Sequence, residues 1–155
     1  MRFILIDEIV HMVPGQTIHG TKTLQSSDDL FRDHFPGFGV VPGVLLVEMM
    51  AQTAGKCLDA EDRTRGKAML VQIRHASFRQ WVLPDQRADI HADIVSNTSG
   101  AARAACRIAV DGREVASADL LFAFLPYSTL AEGYRDEVLE HYLAAHPAPG
   151  SERSR

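Results

Sequence analysis

A nearly unbroken apolar stretch follows Pro42 and sets the clearest pattern along the chain. Proline suits the first position of a helix, because its missing N–H would have no partner there. The next glycine is Gly55, which is the predicted C-cap. The pattern therefore predicts a helix over residues 42–55 that is apolar on almost every face, which is typical of a buried helix. Its apolar members are Val44, Leu45, Leu46, Val47, Met49, Met50 and Ala51.

Glu48 is the exception on this predicted helix. A carboxylate among apolar neighbours costs free energy unless it is paired or has a task, so Glu48 is a candidate functional residue. The turn ahead of the helix contributes His34, at the start of a His-Phe-Pro-Gly sequence. Taken alone, either residue could be structural, and a histidine beside such a turn is most often an ordinary loop residue.

Short β-rich runs lie on both sides of this helix in the sequence. Threonine-rich alternation over residues 17–24 favours a strand. Asp111-Gly112 is a strong hairpin signal between two further runs. The alanines and arginines of residues 101–109 would suit a helix, but the hairpin favours a strand there. The predicted strands cover residues 3–10, 17–24, 68–82, 89–96, 101–110 and 114–125, and residues 59–67 are predicted to form a charged loop.

One helix among several antiparallel strands predicts an α+β domain, in which a curved sheet wraps around the helix. Beyond Pro126, residues 129–132 match a capping box. Apolar side chains at four-residue intervals then predict an amphipathic C-terminal helix from about residue 130 to 145, packed on its own domain or on a dimer mate. We therefore divide the chain into a domain of residues 1–126, a helical extension of residues 127–146 and a tail of residues 147–155 with the composition of a disordered segment.

Composition and charge argue against several classes of function. A chain of 155 residues is long enough for one domain with a sizeable core. Its net charge of −4 gives no basic surface for nucleic acid, and no apolar run approaches the roughly 20 residues of a membrane span. Asp7 and Glu8 interrupt the first apolar run, so no secretory signal is predicted. Cys57 and Cys106 make neither a disulfide framework nor a metal-ligand spacing, and a cytoplasmic location is expected.

The segment of residues 33–55 resembles the signature of the (3R)-hydroxyacyl-[acyl-carrier-protein] dehydratases, which are hotdog-fold enzymes of fatty-acid and related synthesis. In that family a catalytic histidine in a His-Phe-Pro-Gly turn precedes a catalytic glutamate of the central helix by fourteen residues, and His34 and Glu48 have this spacing. Further matches are Ala51, Gln52 and Gly55 in the helix and the stretches 3–24, 75–84 and 110–124, so the resemblance covers about residues 1–125.

The resemblance implies a hotdog fold and removal of water from a 3-hydroxyacyl thioester carried on acyl carrier protein. His34 would take the proton from C2, since imidazole titrates near neutral pH. Glu48 would protonate the departing C3 hydroxyl, because a carboxyl shielded from water keeps its proton more readily. The family positions imply that the Gly43 amide, at the helix N-terminus, points at the thioester oxygen. They also imply that the Val40 carbonyl orients the histidine ring.

Two further residues complete the site that the resemblance implies. Gln52 belongs to the same polar cluster in the family. Phe35 stands beside His34 and is expected to belong to the apolar surroundings of the acyl chain. The reaction requires no metal or organic cofactor.

Three positions depart from the family pattern. Gly39 stands where proline is common and Val41 where methionine is common. The sequence Pro84-Asp85-Gln86 lacks the glycine of the usual Pro-Gly-Asp-Gln. Acyl-chain preference is therefore not implied, and fatty-acid, polyketide and polyene synthesis all stay open.

The expected partners are an acyl carrier protein bearing a 3-hydroxyacyl chain and a second copy of this chain. The family builds its sites at a dimer interface, so we expect a homodimer or higher homo-oligomer, with a heterodimer with another hotdog protein as the alternative. Two other functions remain open. One is a thioesterase in which Glu48 activates water, and the other is a non-catalytic hotdog subunit or acyl-thioester-binding module. Intact His34 and Glu48 favour the dehydratase.

Overall fold

The computed structural model describes residues 1–148 of the chain. Six strands form one antiparallel sheet in the order β1-β2-β4-β5-β6-β3. The strands are β1 (Glu8–Val13), β2 (Thr17–Thr23), β3 (Lys67–Phe78), β4 (Arg87–Asn97), β5 (Ala101–Val110) and β6 (Arg113–Leu125). The helices are α1 (Leu30–Asp33), α2 (Gly43–Glu61) and α3 (Glu137–Ala145), with 3₁₀ turns at Arg63–Arg65 and Tyr127–Thr129.

Helix α2 is enclosed by the sheet, which confirms the predicted α+β arrangement. It contacts β2, β3, β4, β5 and β6, and most of its residues are buried. In β5 every second residue is buried. Two of these buried residues are alanines, Ala102 and Ala104, whose small side chains leave room for the helix. The helix is open to solvent near its two ends, at Val44, which is 75% exposed, and at Glu61.

The predicted end of the central helix at Gly55 is wrong, because α2 continues to Glu61. Tertiary packing outweighs the helix cost of glycine, which is about 1 kcal/mol. Cys57 and Leu58 are fully buried in the additional turns. The two buried charges there are paired, Lys56 with Asp136 and Asp59 with Lys67, as ion pairs. The predicted charged loop of residues 59–67 therefore shrinks to a 3₁₀ turn.

Two predicted strand boundaries are also wrong. The first strand begins at Glu8 rather than at residue 3. Leu5 and Ile6 are fully buried beside the helix without belonging to a strand, so their apolar character reflected packing rather than pairing. The third strand ends at Phe78 rather than at residue 82. The other four strands lie within two residues of the predicted bounds.

The C-terminal helix is confirmed, but it begins at Glu137, seven residues later than predicted. The capping box of residues 129–132 does not cap it. Asp136 does so instead, by accepting a hydrogen bond from the Leu139 backbone N–H at 3.1 Å. Helix α3 packs on β1 of its own domain, where Leu139 is fully buried and the Tyr142 hydroxyl accepts a hydrogen bond from the Met12 N–H at 3.1 Å.

The predicted tail of residues 147–155 falls mostly outside the structure, since residues 149–155 are not among the described residues. Over residues 1–148, every helix is too short or too polar to cross a membrane.

Candidate active site

His34 lies in a tight turn between α1 and α2. Its backbone N–H donates to the Leu30 carbonyl at 3.0 Å, which closes the short helix α1. Phe35 and Phe38 then exchange backbone hydrogen bonds of 2.8 and 2.9 Å across the Pro-Gly turn, and the His34–Phe35 peptide is cis. The chain folds back so that the Val40 N–H donates to the His34 carbonyl at 2.9 Å.

Val40 also fixes the imidazole ring, as the resemblance implies for this position. The His34 Nδ1 lies 2.8 Å from the Val40 carbonyl oxygen. A carbonyl oxygen can only accept, so Nδ1 carries the hydrogen in this bond and Nε2 is the nitrogen left for the substrate. Val40 is itself buried, and the neighbouring Val41 N–H donates to the Val82 carbonyl at 2.8 Å. This half of the site therefore presents Nε2 as the ring nitrogen available for proton transfer.

Glu48 lies on the second turn of α2 and is half-buried. Its Oε1 accepts a hydrogen bond from the Gln52 Nε2 at 3.0 Å, one helical turn away. Two backbone groups fix the Gln52 amide. The Leu5 N–H donates to Gln52 Oε1 at 2.8 Å, and the Phe3 carbonyl accepts from Nε2 at 3.3 Å. The amide nitrogen must therefore face Glu48, which leaves Glu48 Oε2 as the oxygen that can hold a proton.

Gly43 is the first residue of α2, so its N–H has no acceptor within the helix. The ring of Phe78, at the end of β3, lies 3.2 Å from the position that a Cβ on residue 43 would take. Glycine therefore keeps this N–H accessible beside an aromatic ring. Nothing near Phe78 in the chain marks its approach to Gly43, so this contact is visible only in the folded domain.

A cavity of about 430 Å³ opens beside Glu48. We call it the proximal cavity. It is lined by one stripe of α2 and by residues of β3 and β6, namely Glu48, Ala51, Gln52, Gly55, Lys67, Ala68, Met69, Leu70 and Phe122. His34 is not part of this lining, and among residues 1–148 no hydrogen bond joins His34 to Glu48. A single chain thus brings together His34 with Val40 and Glu48 with Gln52, but not the two pairs with each other.

Exposed aromatic side chains surround the His34 turn. Phe35 is 53% exposed and stacks on the imidazole, with ring centroids 4.1 Å apart. Phe38 meets Trp81 edge to face at 5.1 Å, and Trp81 is 71% exposed. Phe35 is therefore beside His34, as predicted, but on an open surface of the single chain.

The free edge of β3 is apolar as well. Among residues 1–148 this strand pairs only with β6, and it exposes Met69, Val71 and Ile73. An unpaired apolar edge is a template for pairing with another strand. Together with the aromatic residues near His34, this edge gives one side of the domain the character of an interface.

The two thiols are unsuited to nucleophilic catalysis. Burial raises the pKa of Cys57 to about 11 and that of Cys106 to about 12. Both groups therefore remain protonated thiols at neutral pH. The Glu48 carboxyl and the His34 imidazole are therefore the candidate reacting groups of this site.

A curved antiparallel sheet around one helix, with a carboxylate on that helix and a histidine in the preceding turn, defines a hotdog-fold protein. A solved structure of the same fold is the dehydratase heterocomplex ApeI:P from Xenorhabdus doucetiae, with a TM-score of 0.65, 17% identity and coverage of 81% of this chain and 86% of that chain. The FabA-like domain model matches residues 1–119, and the chain belongs to this family.

Curated relatives give the same result from sequence. The 3-hydroxyacyl-[acyl-carrier-protein] dehydratase FabZ of Geotalea uraniireducens is 37% identical over 125 residues, which cover 79% of this chain and 86% of the relative. The protein of the same name from Ruminiclostridium cellulolyticum is 30% identical over 122 residues, covering 78% of this chain and 86% of the relative.

Proposed function

We propose that this chain is a dehydratase that removes water from (3R)-3-hydroxyacyl thioesters on acyl carrier protein, giving trans-2-enoyl thioesters in fatty-acid or polyketide synthesis. The observation that carries the proposal is the 37% identity to a relative of that activity over most of both chains. The chain also keeps a base and an acid of the right chemical types at His34 and Glu48. These features favour the dehydratase over the thioesterase and over the non-catalytic subunit.

His34 is the proposed base. With Nδ1–H held by the Val40 carbonyl, Nε2 is the only ring nitrogen that can accept the C2 proton. Holding Nδ1 in a hydrogen bond also fixes the plane of the ring. The elimination needs this orientation, because the base must reach a proton on a specific face of the substrate.

Glu48 is the proposed acid. Glu48 Oε1 already accepts a hydrogen bond from the Gln52 amide N–H. The proton that leaves with the C3 hydroxyl therefore comes from Oε2. After elimination the carboxylate keeps the Gln52 N–H bond, and a hydrogen bond to a charged carboxylate is stronger than one to a neutral carboxyl. Gln52 is thus a positioning residue that favours proton release at the moment of reaction.

Negative charge develops on the thioester oxygen when C2 loses its proton. We propose that the Gly43 N–H binds this oxygen, since it is the first N–H of a long helix and has no acceptor within that helix. Such donors stabilise the charged state more than the ground state. The Phe78 ring, which lies beside Gly43, would pack against the apolar part of the bound thioester.

The complete site is proposed to form between two copies of the chain. His34 does not line the proximal cavity, and the β3 edge and the aromatic residues near His34 expose an apolar surface that a second copy would cover. In a two-fold symmetric dimer the same patch serves both subunits, so each site would combine His34 of one subunit with Glu48 of the other.

The direct test is product formation. The purified protein should convert a 3-hydroxyacyl carrier protein to the enoyl form, seen by mass spectrometry as the loss of one water with the thioester intact. The reverse hydration of an enoyl carrier should occur as well. Release of free acid would indicate the thioesterase instead, and an unchanged carrier would contradict any catalytic role.

A further inference from the structure

A second cavity, of about 400 Å³, adjoins the proximal cavity, and the two share Gln52 and Lys67. We call it the distal cavity. Its remaining lining comes from the N-terminal segment, from Lys56 of α2 and from the C-terminal extension. These residues are Arg2, Phe3, Ile4, Lys56, Tyr134, Arg135, Asp136, Glu137 and Val138.

The order of residues along α2 places the distal cavity beyond the reacting atoms. Gly43 begins the helix, Glu48 follows on its second turn, and Lys56 lies eight residues after Glu48. At about 1.5 Å per residue this separation is about 12 Å along the helix axis. A substrate with its thioester at Gly43 and its C3 hydroxyl at Glu48 would therefore direct the far part of its acyl chain towards Lys56.

The far wall of the distal cavity is a fixed part of the fold. Asp136 caps α3 and also accepts a hydrogen bond from the Lys56 ammonium at 2.8 Å. The Lys56 and Asp136 side chains are only 9% and 10% exposed. The wall residues Tyr134 to Val138 lie beyond residue 119, where the match to the family model ends. This wall is therefore a feature of this chain rather than of the matched family domain.

The lining of the distal cavity is polar enough to discriminate between acyl chains. Tyr134 and Gln52 face it together with the Lys56–Asp136 pair. Within residues 1–148, no side-chain hydrogen bond involves the Tyr134 hydroxyl. Desolvation raises the pKa of Tyr134 to about 12, so its phenol remains a neutral donor at physiological pH. A plain hydrocarbon end would remove water from the Tyr134 hydroxyl without replacing its hydrogen bond, whereas an oxygen-bearing end would replace it.

We infer that the distal cavity binds the far end of the acyl chain, and that it selects chains with a hydroxyl or keto oxygen in the half remote from the thioester. Tyr134 is the specificity-determining donor to that oxygen. This inference rests on the dehydratase function proposed above and names the substrate class that the site prefers.

The experiment compares two carrier proteins whose 3-hydroxyacyl chains have the same medium length. One chain ends in a methyl group, and the other bears a hydroxyl on its last carbon. The kcat/KM for each is measured with wild type, with Tyr134→Phe and with Tyr127→Phe. Tyr127 is a matched control, because its ring is 6.4 Å from that of Tyr134 but does not line the distal cavity.

Wild type should prefer the hydroxylated chain. Tyr134→Phe should lower kcat/KM for that chain by roughly three- to tenfold, the loss expected for one neutral hydrogen bond. It should raise kcat/KM for the methyl-ended chain, because that chain no longer displaces water from a hydroxyl. Tyr127→Phe should change neither value. Equal wild-type values for the two chains, or an equal loss on both in Tyr134→Phe, would overturn the inference while leaving the dehydratase function standing. Absence of turnover with both chains would contradict the dehydratase function itself, and the inference would fall with it.

Discussion

The two halves of the candidate site are held in opposite ways. His34 is oriented by the Val40 carbonyl, six residues further along the chain, within one turn. Glu48 is oriented through Gln52, whose amide is fixed by the Leu5 N–H, 47 residues earlier in the sequence. The histidine half is thus a local structure, and the glutamate half depends on the docking of the N-terminal segment against the central helix.

This difference has consequences for mutation. The partner of His34 is a backbone carbonyl, which no side-chain substitution removes. The partner of Glu48 is a side chain, so the orientation of the carboxyl can be altered without touching the carboxyl itself. Both halves should be needed for the reaction, but only the orientation of Glu48 can be changed by substituting its hydrogen-bond partner.

The largest effect is expected from removing either reacting group. His34→Ala and Glu48→Gln should each lower kcat by at least about 10²-fold, since acid and base act in one elimination. Both residues are only half-buried, so thermal unfolding should change little. The exposed His141 and Glu132 provide the matched control variants His141→Ala and Glu132→Gln, which should keep wild-type rates. A variant of His34 or Glu48 that retained most turnover at unchanged stability would show that its assignment is wrong.

A smaller effect is expected from Gln52→Leu, which keeps the volume of the side chain but removes the amide. The kcat should fall about tenfold and KM should change less, because the lost hydrogen bond acts on the reacting carboxyl of Glu48. The unfolding free energy should also fall by about 1–3 kcal/mol, since the Leu5 N–H loses its acceptor. Gln16→Leu, at an exposed turn position, is the control. An unchanged kcat would mean that Glu48 does not need this amide.

The contrast between local and long-range structure also explains what the sequence could predict. The spacing of His34 and Glu48, the apolar helix and the Asp111-Gly112 hairpin are local patterns, and the fold inferred from them is confirmed. The extension of α2 past Gly55 is not evident from the sequence, because it depends on an ion pair of Lys56 with Asp136, 80 residues further along the chain. The start of α3 was missed for the same reason, since Asp136 is both its cap and the partner of Lys56.

The site shows the same division. The bond between His34 and Val40 agrees with the role that the resemblance implies for Val40. No local pattern indicates the Leu5 contact with Gln52 or the Phe78 ring beside Gly43. Both contacts join segments that meet only in the folded domain. The catalytic roles of these residues stay predictions that the kinetic experiments decide.

Complementation between two inactive variants tests most directly whether one site is built from two copies of the chain. His34→Ala and Glu48→Gln subunits are mixed in equal amounts under conditions of subunit exchange, and exchange is confirmed by native mass spectrometry. In each mixed dimer one site would have both residues intact, so random mixing should restore roughly a quarter of wild-type activity. No recovery after confirmed exchange would contradict the account and place His34 and Glu48 of the same chain in each site.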